Sequence, residues 1–152
     1  MAATVVEAER RLPYPAKDLC VLVGDVRAYP SFIPWLKSLR VTQEERIGEG
    51  WRGVAEAVVG WRAITERFAT RVRCEPETGE VDVSLVRGPL KTLENRWRFV
   101  DAPDGTHIRF SLVYEFKNPV LQKLVAANRE TITNRILAAF EGEAHKRFKA
   151  RL

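Results

Sequence analysis

The chain has 152 residues, of which 45% are hydrophobic and 30% charged, and its formal net charge is +5. These values are typical of a globular protein, and the length predicts a single domain over residues 1–152. The longest apolar run, Leu19–Val23, is much shorter than the 18 or more residues that a membrane span needs. The first nine residues form no basic leader, and Cys20 and Cys74 lack metal-type spacing, so we expect a cytoplasmic protein with free thiols.

The first part of the chain predicts one strand and then two short helical segments. Thr4–Leu12 alternates between apolar and polar residues and ends at Pro13-Tyr14-Pro15, as expected of a strand closed by a turn. Apolar residues at helical spacing predict a helix over Pro15–Val26. Tyr29–Trp35 holds two prolines and four large apolar side chains without a regular period, which favours an irregular lid or a second short helix.

Six further strands are predicted after Trp35. Short segments rich in glycine, proline and acidic residues separate them, and connections this short join antiparallel neighbours. The predicted strands are Leu36–Glu45, Gly50–Val59, Ala63–Cys74, Glu80–Arg87, Leu90–Val100 and Thr106–Phe116.

Asn118–Leu152 is predicted to form one long helix, with Asn118 as its cap and Pro119 in its first turn. Asn128 and Arg135 fall within its apolar stripe, so either a hollow lies beneath the helix or these two residues lie at the margin and reach solvent. The predicted stripe consists of Leu121, Leu124, Val125, Ile132, Ile136 and Ala139, and it then shifts to Phe140, Ala144 and Phe148.

These elements predict a two-layer α+β fold. The last two strands each have one apolar face, and a long helix can cover such a face. We therefore expect a curved seven-stranded antiparallel sheet wrapped around the C-terminal helix, with two short helices after the first strand.

No catalytic or metal-binding motif stands out, and both histidines, His107 and His145, are expected at the surface. We therefore expect no enzymatic activity, no metal and no cofactor. Arginines on the outward strand faces are best explained by cross-strand ion pairs, with an RNA or membrane footprint as the alternative. These arginines are Arg52, Arg67, Arg71, Arg73, Arg96, Arg98 and Arg109.

Two stretches of the chain resemble the coenzyme Q-binding branch of the START-domain superfamily. The first comprises Leu12-Pro13-Tyr14-Pro15, then Asp25-Val26 through Tyr29-Pro30-x-Phe32-x-Pro34-Trp35. The second is Gly88-Pro89-Leu90-Lys91-x-Leu93-x-Asn95-x-Trp97-x-Phe99. The resemblance extends over essentially the whole chain, and bacterial members of this branch are also named as ribosome-association toxins. It implies a helix-grip fold, a lipid-accommodating tunnel between sheet and helix, and no chemistry.

The resemblance also implies that the chain binds a prenylated quinone, ubiquinone, and serves as its carrier or chaperone in respiration and quinone biosynthesis. Such a ligand needs a mainly apolar cavity with few polar anchors. On this interpretation Asn95, Tyr114, Asn128 and Arg135 meet the quinone oxygens. The apolar lining is expected from Phe32, Trp35, Leu93, Trp97, Leu112, Leu124, Ile132 and Ile136, although Trp35 and Trp97 have a simpler alternative as core residues.

Two other functions stay open at this point. A basic protein of this branch can bind the large ribosomal subunit through its outward arginines, with an affinity that falls steeply with salt. The superfamily also includes polyketide cyclases and aromatases, although the lack of acid–base residues argues against that chemistry. We expect no DNA partner, and the positive charge is compatible with transient contact at an anionic membrane surface, on its inner face.

Overall fold

Seven antiparallel strands form one curved sheet that packs against the helices. The computed structural model describes residues 3–61 and 63–148, and of Trp61 only the backbone. The strands are β1 (Thr4–Leu12), β2 (Leu36–Ile47), β3 (Gly50–Trp61), β4 (Ile64–Glu75), β5 (Glu80–Arg87), β6 (Leu90–Ala102) and β7 (Gly105–Phe116). The helices are α1 (Ala16–Gly24), a 3₁₀ helix (Val26–Ser31), α2 (Pro119–Ala127) and α3 (Arg129–Arg147).

Strands β2 to β7 follow one another across the sheet as hairpins, and β1 joins the far edge beside β7. The β1–β7 ladder runs from Thr4 opposite Tyr114 to Leu12 opposite Thr106. The predicted α+β helix-grip arrangement is confirmed, because seven strands and two short helical segments after β1 occur in the expected order. Strands β1 and β5 have the predicted bounds, while β2, β3 and β6 each extend slightly further.

The predicted helix over Pro15–Val26 is shorter than expected, because α1 ends at Gly24 and a 3₁₀ helix follows. Gly24 allows α1 to approach β4 closely, since a Cβ atom placed there would lie 2.2 Å from Cys74 Sγ. The carbonyl of Gly24 also accepts a hydrogen bond from Trp51 Nε1 at 3.1 Å. The first helix is therefore fixed to the sheet at its C-terminal end.

The prediction of one continuous C-terminal helix is wrong, since Asn128 divides it into α2 and α3. The Asn128 side chain donates a hydrogen bond from Nδ2 to the Leu124 carbonyl at 2.8 Å. Its backbone N–H bonds to the Val125 carbonyl at 3.1 Å, three residues back instead of four. Such side-chain competition with the backbone favours a helix end. At the other end α3 stops at Arg147, and residues 149–152 of the predicted helix lie outside the described residues.

The buried face of the C-terminal segment also differs from the predicted stripe. In α3 it consists of Thr133, Leu137, Phe140 and Ala144, while Gln122 is the buried residue of α2. Ile132, Ile136 and Ala139 lie beside this face and are half-buried, and Leu124 is 45% exposed. Phe140 and Ala144 are buried as predicted, whereas Thr133 and Leu137 have the buried positions that were expected of Ile132 and Ile136.

The core lies between the sheet, α1 and α3. Trp97 is 3% exposed and contacts Phe110 and Phe140 at ring-centroid distances of 4.9 and 5.1 Å, both edge to face. Leu19 and Leu22 of α1 pack into the same cluster. In the described part of the chain, no helix is long and apolar enough to cross a bilayer.

Candidate functional site

The inner face of β6 and β7, which is turned toward α3, gathers five of the residues predicted to bind a ligand. Leu93 lies directly opposite Tyr114, and Asn95 lies directly opposite Leu112. Residues paired in this way project to the same face, and Trp97 follows Asn95 on that face. Tyr114 and Trp97 are buried, whereas Leu93, Asn95 and Leu112 are half-buried, so part of this apolar face remains accessible.

Tyr114 carries the unusual polar group of the site. The residue is 5% exposed, and in the described part of the chain its hydroxyl is the single buried side-chain polar atom without a hydrogen-bond partner. Thr4 lies opposite Tyr114 in the β1–β7 ladder, and the Thr4 hydroxyl accepts a hydrogen bond from Gln122 Nε2 at 3.0 Å. Burial raises the pKa of Tyr114. The hydroxyl is therefore protonated at neutral pH and available as a donor.

Asn95 and Trp97 form a second polar pair on the same face. Trp97 Nε1 donates a hydrogen bond to Asn95 Oδ1 at 2.8 Å, and Asn95 Nδ2 donates to the Ser111 carbonyl at 2.9 Å. These bonds use the main hydrogen-bonding groups of both side chains. Trp97 thus has the core position that was its simpler alternative, and Asn95 orients it.

Phe32 and Trp35 enter the site from the segment after the 3₁₀ helix. Phe32 is half-buried and meets Phe140 and Tyr29 edge to face, at centroid distances of 5.5 and 5.9 Å. Trp35 is also half-buried, packs against the core, and accepts a hydrogen bond at its carbonyl from the Gly60 N–H at 2.8 Å. The predicted lid is therefore a packed aromatic segment that contacts Phe140 of α3 and the core.

The remaining predicted site residues lie on α2, α3 and the break between them. Ile132 and Ile136 are half-buried, and Ile136 packs against the core. Asn128 and Arg135, expected as polar anchors, are exposed, as is Leu124. Asn128 and Arg135 therefore have the margin position that the sequence left open as an alternative, apart from the inner-face residues.

The space between the inner face of the sheet and α3 near Trp97 is small. A cavity of about 20 Å³ lies among α1, the inner face of the sheet and α3. A space of that size holds about one water molecule, whereas small-molecule sites have about 300–1,000 Å³. Its apolar walls include Leu19, Leu137 and Phe140, and the ion pair between Arg10 and Glu141, at 3.4 Å, lies at its rim. A lipid can enter here only if α3 or its side chains move.

A larger cleft of about 240 Å³ lies outside this region, between the end of α1 and the β2–β3 hairpin. Its walls mix apolar and charged groups, with Val26 and Trp51 beside Asp25 and Arg46. Within the described ranges, no group of three or more His, Cys, Asp or Glu side chains could hold a metal ion.

The outer face of the sheet carries the predicted arginines, and ion pairs account for most of them. Arg98 contacts Glu80 at 3.1 Å and Asp82 at 2.9 Å, and Arg73 also contacts Asp82. Arg52 and Arg109 pair with Glu45 and Glu9, at 2.9 and 3.7 Å. The exposed side chains of Arg67, Arg71 and Arg96 form no ion pair with any residue that the structure describes.

Sequence reasoning missed two residues of the site region. Phe140 was assigned to the apolar side of the helix but not to the site, although it contacts Phe32, Tyr29 and Trp97. Gln122, 2% exposed, was missed because a glutamine in a surface helix gives no signal of burial.

Comparison with known proteins agrees with this architecture. Residues 12–141 match the family described as polyketide cyclase/dehydrase and lipid transport. The chain is 28% identical over 141 residues to the ribosome association toxin RatA of Rickettsia prowazekii, covering 91% of this chain and 94% of the toxin. It is 27% identical over 111 residues to the mitochondrial coenzyme Q-binding protein coq10 of Schizosaccharomyces pombe, covering 72% of this chain and 66% of that protein.

Among solved structures, the 18 kDa protein CC1736 of Caulobacter crescentus is 39% identical, with a TM-score of 0.76. The similarity covers 96% of this chain and 97% of the Caulobacter protein. The family match extends from the end of β1 into α3 and so includes the inner-face residues. The chain therefore belongs to the polyketide cyclase/dehydrase and lipid transport family.

Proposed function

We propose that this chain binds a prenylated quinone such as ubiquinone between its sheet and α3, without catalysing a reaction, and serves as a carrier or chaperone for that lipid. One observation carries the proposal, namely the buried and partnerless hydroxyl of Tyr114 beside the half-buried Leu93 and Leu112. A quinone carbonyl accepts a hydrogen bond from a protonated hydroxyl, and an isoprenoid tail needs only apolar surface. The likeness to a coenzyme Q-binding protein supports the same ligand class.

The proposal requires the interior to open. A quinone ring does not fit the cavity of about 20 Å³ beside Trp97, and that cavity does not reach Tyr114, so on this proposal the helical layer and the sheet separate. Ile136 packs against the core, Ile132 lies one turn before it on α3, and both would line the opened space together with Leu93 and Leu112. Because prenylquinones reside in bilayers, the carrier would load and unload its ligand at a membrane surface.

Two measurements test the proposal. An organic extract of the protein purified from its own host should contain a prenylquinone, detected by mass spectrometry, in sub-stoichiometric to stoichiometric amount. Added ubiquinone should raise the free energy of unfolding by about 2.7 kcal/mol at a hundredfold excess over its dissociation constant. An extract without prenylquinone, together with no stabilisation by added ubiquinone, would contradict the proposal.

The role of Tyr114 has its own test. Tyr114→Phe removes one donor, so the dissociation constant for ubiquinone should rise about two- to twelvefold, as expected for about 0.5–1.5 kcal/mol of net hydrogen bonding. Tyr14→Phe is the matched control, because the Tyr14 hydroxyl is hydrogen-bonded to His145 Nδ1 in the last turn of α3. Equal affinities for Tyr114→Phe and the wild type would remove Tyr114 from the site.

A second candidate function is binding to the large ribosomal subunit. The exposed Arg67, Arg71 and Arg96 favour it, because they share the outer sheet face and are not neutralised by ion pairs within the described residues. The likeness to ribosome association toxins supports the same partner class. Association carried by these arginines would be electrostatic and would weaken steeply as salt rises.

Co-sedimentation with large ribosomal subunits tests this second candidate. Changing Arg67, Arg71 and Arg96 together to Gln should abolish binding at low salt and leave ubiquinone binding unchanged. The matched control changes three arginines that form ion pairs, Arg40, Arg52 and Arg87, to Gln. It removes the same charge from the same face. Equal losses in both triple variants would show a general charge effect and no specific footprint.

A further inference from the structure

Helix α2 has an apolar outer side that no described residue covers. Val120 is 76% exposed and Leu124 is 45% exposed. They lie one turn apart, so their side chains adjoin on the surface of the helix. Ala127 continues this side and is also exposed, whereas Gln122 on the opposite side is buried against β7 and β1. A pair of adjoining exposed aliphatic residues is more than the scattered single residues of an ordinary surface.

The charges around these residues all have one sign. Lys117 precedes α2, Lys123 lies between Val120 and Leu124, and both are exposed without an ion pair to any described residue. From Lys117 to Arg129 the sequence contains no acidic residue. Just upstream, Glu115 is engaged by Lys91 at 3.7 Å. We define the α2 outer patch as Lys117, Val120, Lys123, Leu124 and Ala127.

We propose that the α2 outer patch docks on a lipid bilayer that carries anionic headgroups. Aliphatic side chains flanked by lysines suit the interface of such a bilayer, because the apolar groups enter the headgroup region while the ammonium groups stay at its surface. Each lysine near an anionic surface strengthens binding roughly fivefold. RNA fits less well, because the patch has no aromatic ring on which a base can stack.

The inference goes beyond the quinone proposal and does not depend on it, since a protein can dock on lipid without accepting a lipid into its interior. The patch is nevertheless well placed for lipid exchange. The opposite side of α2 is held to the sheet by Gln122, whose Oε1 accepts the Phe116 N–H at 2.8 Å. Phe116 in turn contacts the Tyr114 ring at a centroid distance of 5.9 Å. The docked helix is therefore connected through Phe116 to the Tyr114 ring of the candidate site.

Flotation with quinone-free vesicles tests the docking. The wild type should float with phosphatidylcholine vesicles that contain phosphatidylglycerol and should not float with phosphatidylcholine alone. Val120→Ser with Leu124→Ser should weaken vesicle binding at least tenfold. The matched control is Val21→Ser with Val100→Ser, since these valines are 50% and 56% exposed and lie on α1 and β6, outside the patch. The control variant should bind within about twofold of the wild type.

The lysines are tested in the same assay. Lys117→Gln with Lys123→Gln should weaken binding to anionic vesicles by more than tenfold and reduce its salt dependence. Lys37→Gln with Lys146→Gln removes the same charge from exposed lysines elsewhere and should have little effect. The inference would be overturned if the wild type did not bind anionic vesicles. It would also be overturned if the control pairs lost as much binding as the patch variants.

A direct readout of insertion uses an environment-sensitive fluorophore. Both native thiols are buried, with Cys20 and Cys74 at 0% and 3% exposure, so a thiol-reactive probe labels an introduced cysteine selectively. The probe on Leu124→Cys should shift its emission to the blue on anionic vesicles, while the probe on Lys146→Cys should not. Ribosome binding that is lost in the Val120/Leu124 variant, with no vesicle binding by the wild type, would reassign the patch to the ribosome and overturn the proposal. Vesicle binding without quinone uptake, or the reverse, separates this inference from the quinone proposal.

Discussion

Gln122 of α2 donates a hydrogen bond from Nε2 to the Thr4 hydroxyl of β1 at 3.0 Å, which joins two residues 118 positions apart in the chain. The Gln122 side chain is 2% exposed, and its Oε1 accepts the Phe116 N–H at 2.8 Å. One buried amide thus connects α2 to two strands. Gln122 is the buried side chain of α2, while Leu121 and Val125 are half-buried, so this connection contributes to the attachment of the helix.

Replacing Gln122 by Leu should lower the free energy of unfolding by about 1–3 kcal/mol, because the buried Phe116 N–H loses its acceptor. Urea denaturation measures the change, and amide hydrogen exchange should become faster in α2 than in α3. Thr4→Val completes a double-mutant cycle with a coupling energy of about 0.5–3 kcal/mol. Simple additivity of the two changes would mean that the Gln122–Thr4 bond contributes nothing.

Two leucines of the C-terminal helices distinguish the observed buried face from the predicted stripe. Leu137→Ala should cost about 2–5 kcal/mol, because Leu137 is 3% exposed in the core. Leu124→Ala, at a position 45% exposed, should change stability by about 0.5 kcal/mol or less. At roughly 2–4 °C per kcal/mol, thermal denaturation separates the two variants clearly. The reverse order of effects would restore the stripe predicted from sequence.

Tyr114→Phe should leave the ligand-free protein as stable as the wild type or more stable, by up to about 1–3 kcal/mol. The reason is that the change removes a buried hydroxyl that has no partner. Tyr29→Phe is the comparison, because the Tyr29 hydroxyl donates to the Val23 carbonyl, and its loss should cost about 0.5–1.5 kcal/mol. Urea denaturation of both variants shows whether each change raises or lowers the free energy of unfolding. A destabilised Tyr114→Phe would indicate that this hydroxyl has a partner in solution.

Acid should weaken the outer face of the sheet through Asp82. Burial alone would raise the pKa of Asp82, but hydrogen bonds and charges from Arg98 and Arg73 outweigh it and hold the pKa below its usual value. The unfolded carboxyl titrates near about 3.9, so the resulting stability is present above that pH and is lost as the pH falls through the lower folded value. The stability difference between wild type and Asp82→Asn should therefore shrink below about pH 4.

The control for this pH effect is Asp104→Asn, since Asp104 is exposed in the β6–β7 turn and forms no ion pair within the described ranges. The free energy of unfolding of the Asp104→Asn variant should follow that of the wild type as the pH is lowered. A wild-type advantage over Asp82→Asn that stays constant from pH 7 to pH 2.5 would contradict the assigned role of the two arginines.

The strands were predictable from the sequence because their signals are local. Alternation in Leu93–Phe99 and Ile108–Phe116 identifies the inner face, and the register of β6 with β7 confirms it. The helical face was not predictable to within one residue. Leu124 and Leu137 look alike in sequence, and the difference between them depends on the break at Asn128, where a side-chain hydrogen bond ends α2.

The candidate site was less accessible to sequence reasoning because polar side chains can be used in ways that sequence does not reveal. Asn95 was expected to meet a ligand, yet it is bonded to Trp97 and to the Ser111 carbonyl. Tyr114 was placed correctly on the inner face, but the sequence does not show that its hydroxyl is buried without a partner, or that Gln122 bonds to Thr4 beside it. That arrangement involves residues 118 positions apart, and no local pattern encodes it.

The pairing of β1 with β7 has a consequence for folding during synthesis. The first strand to be synthesised has the last strand as its sole neighbour in the sheet, so it cannot be completed until Phe116 has been made. At about 5–20 residues per second, β1 waits roughly 5–20 s for its partner. During that interval the hairpins from β2 to β6 can assemble, while Thr4–Leu12 exposes an unpaired edge to other chains. Premature termination before β7 therefore releases a chain whose first strand has no place to pair.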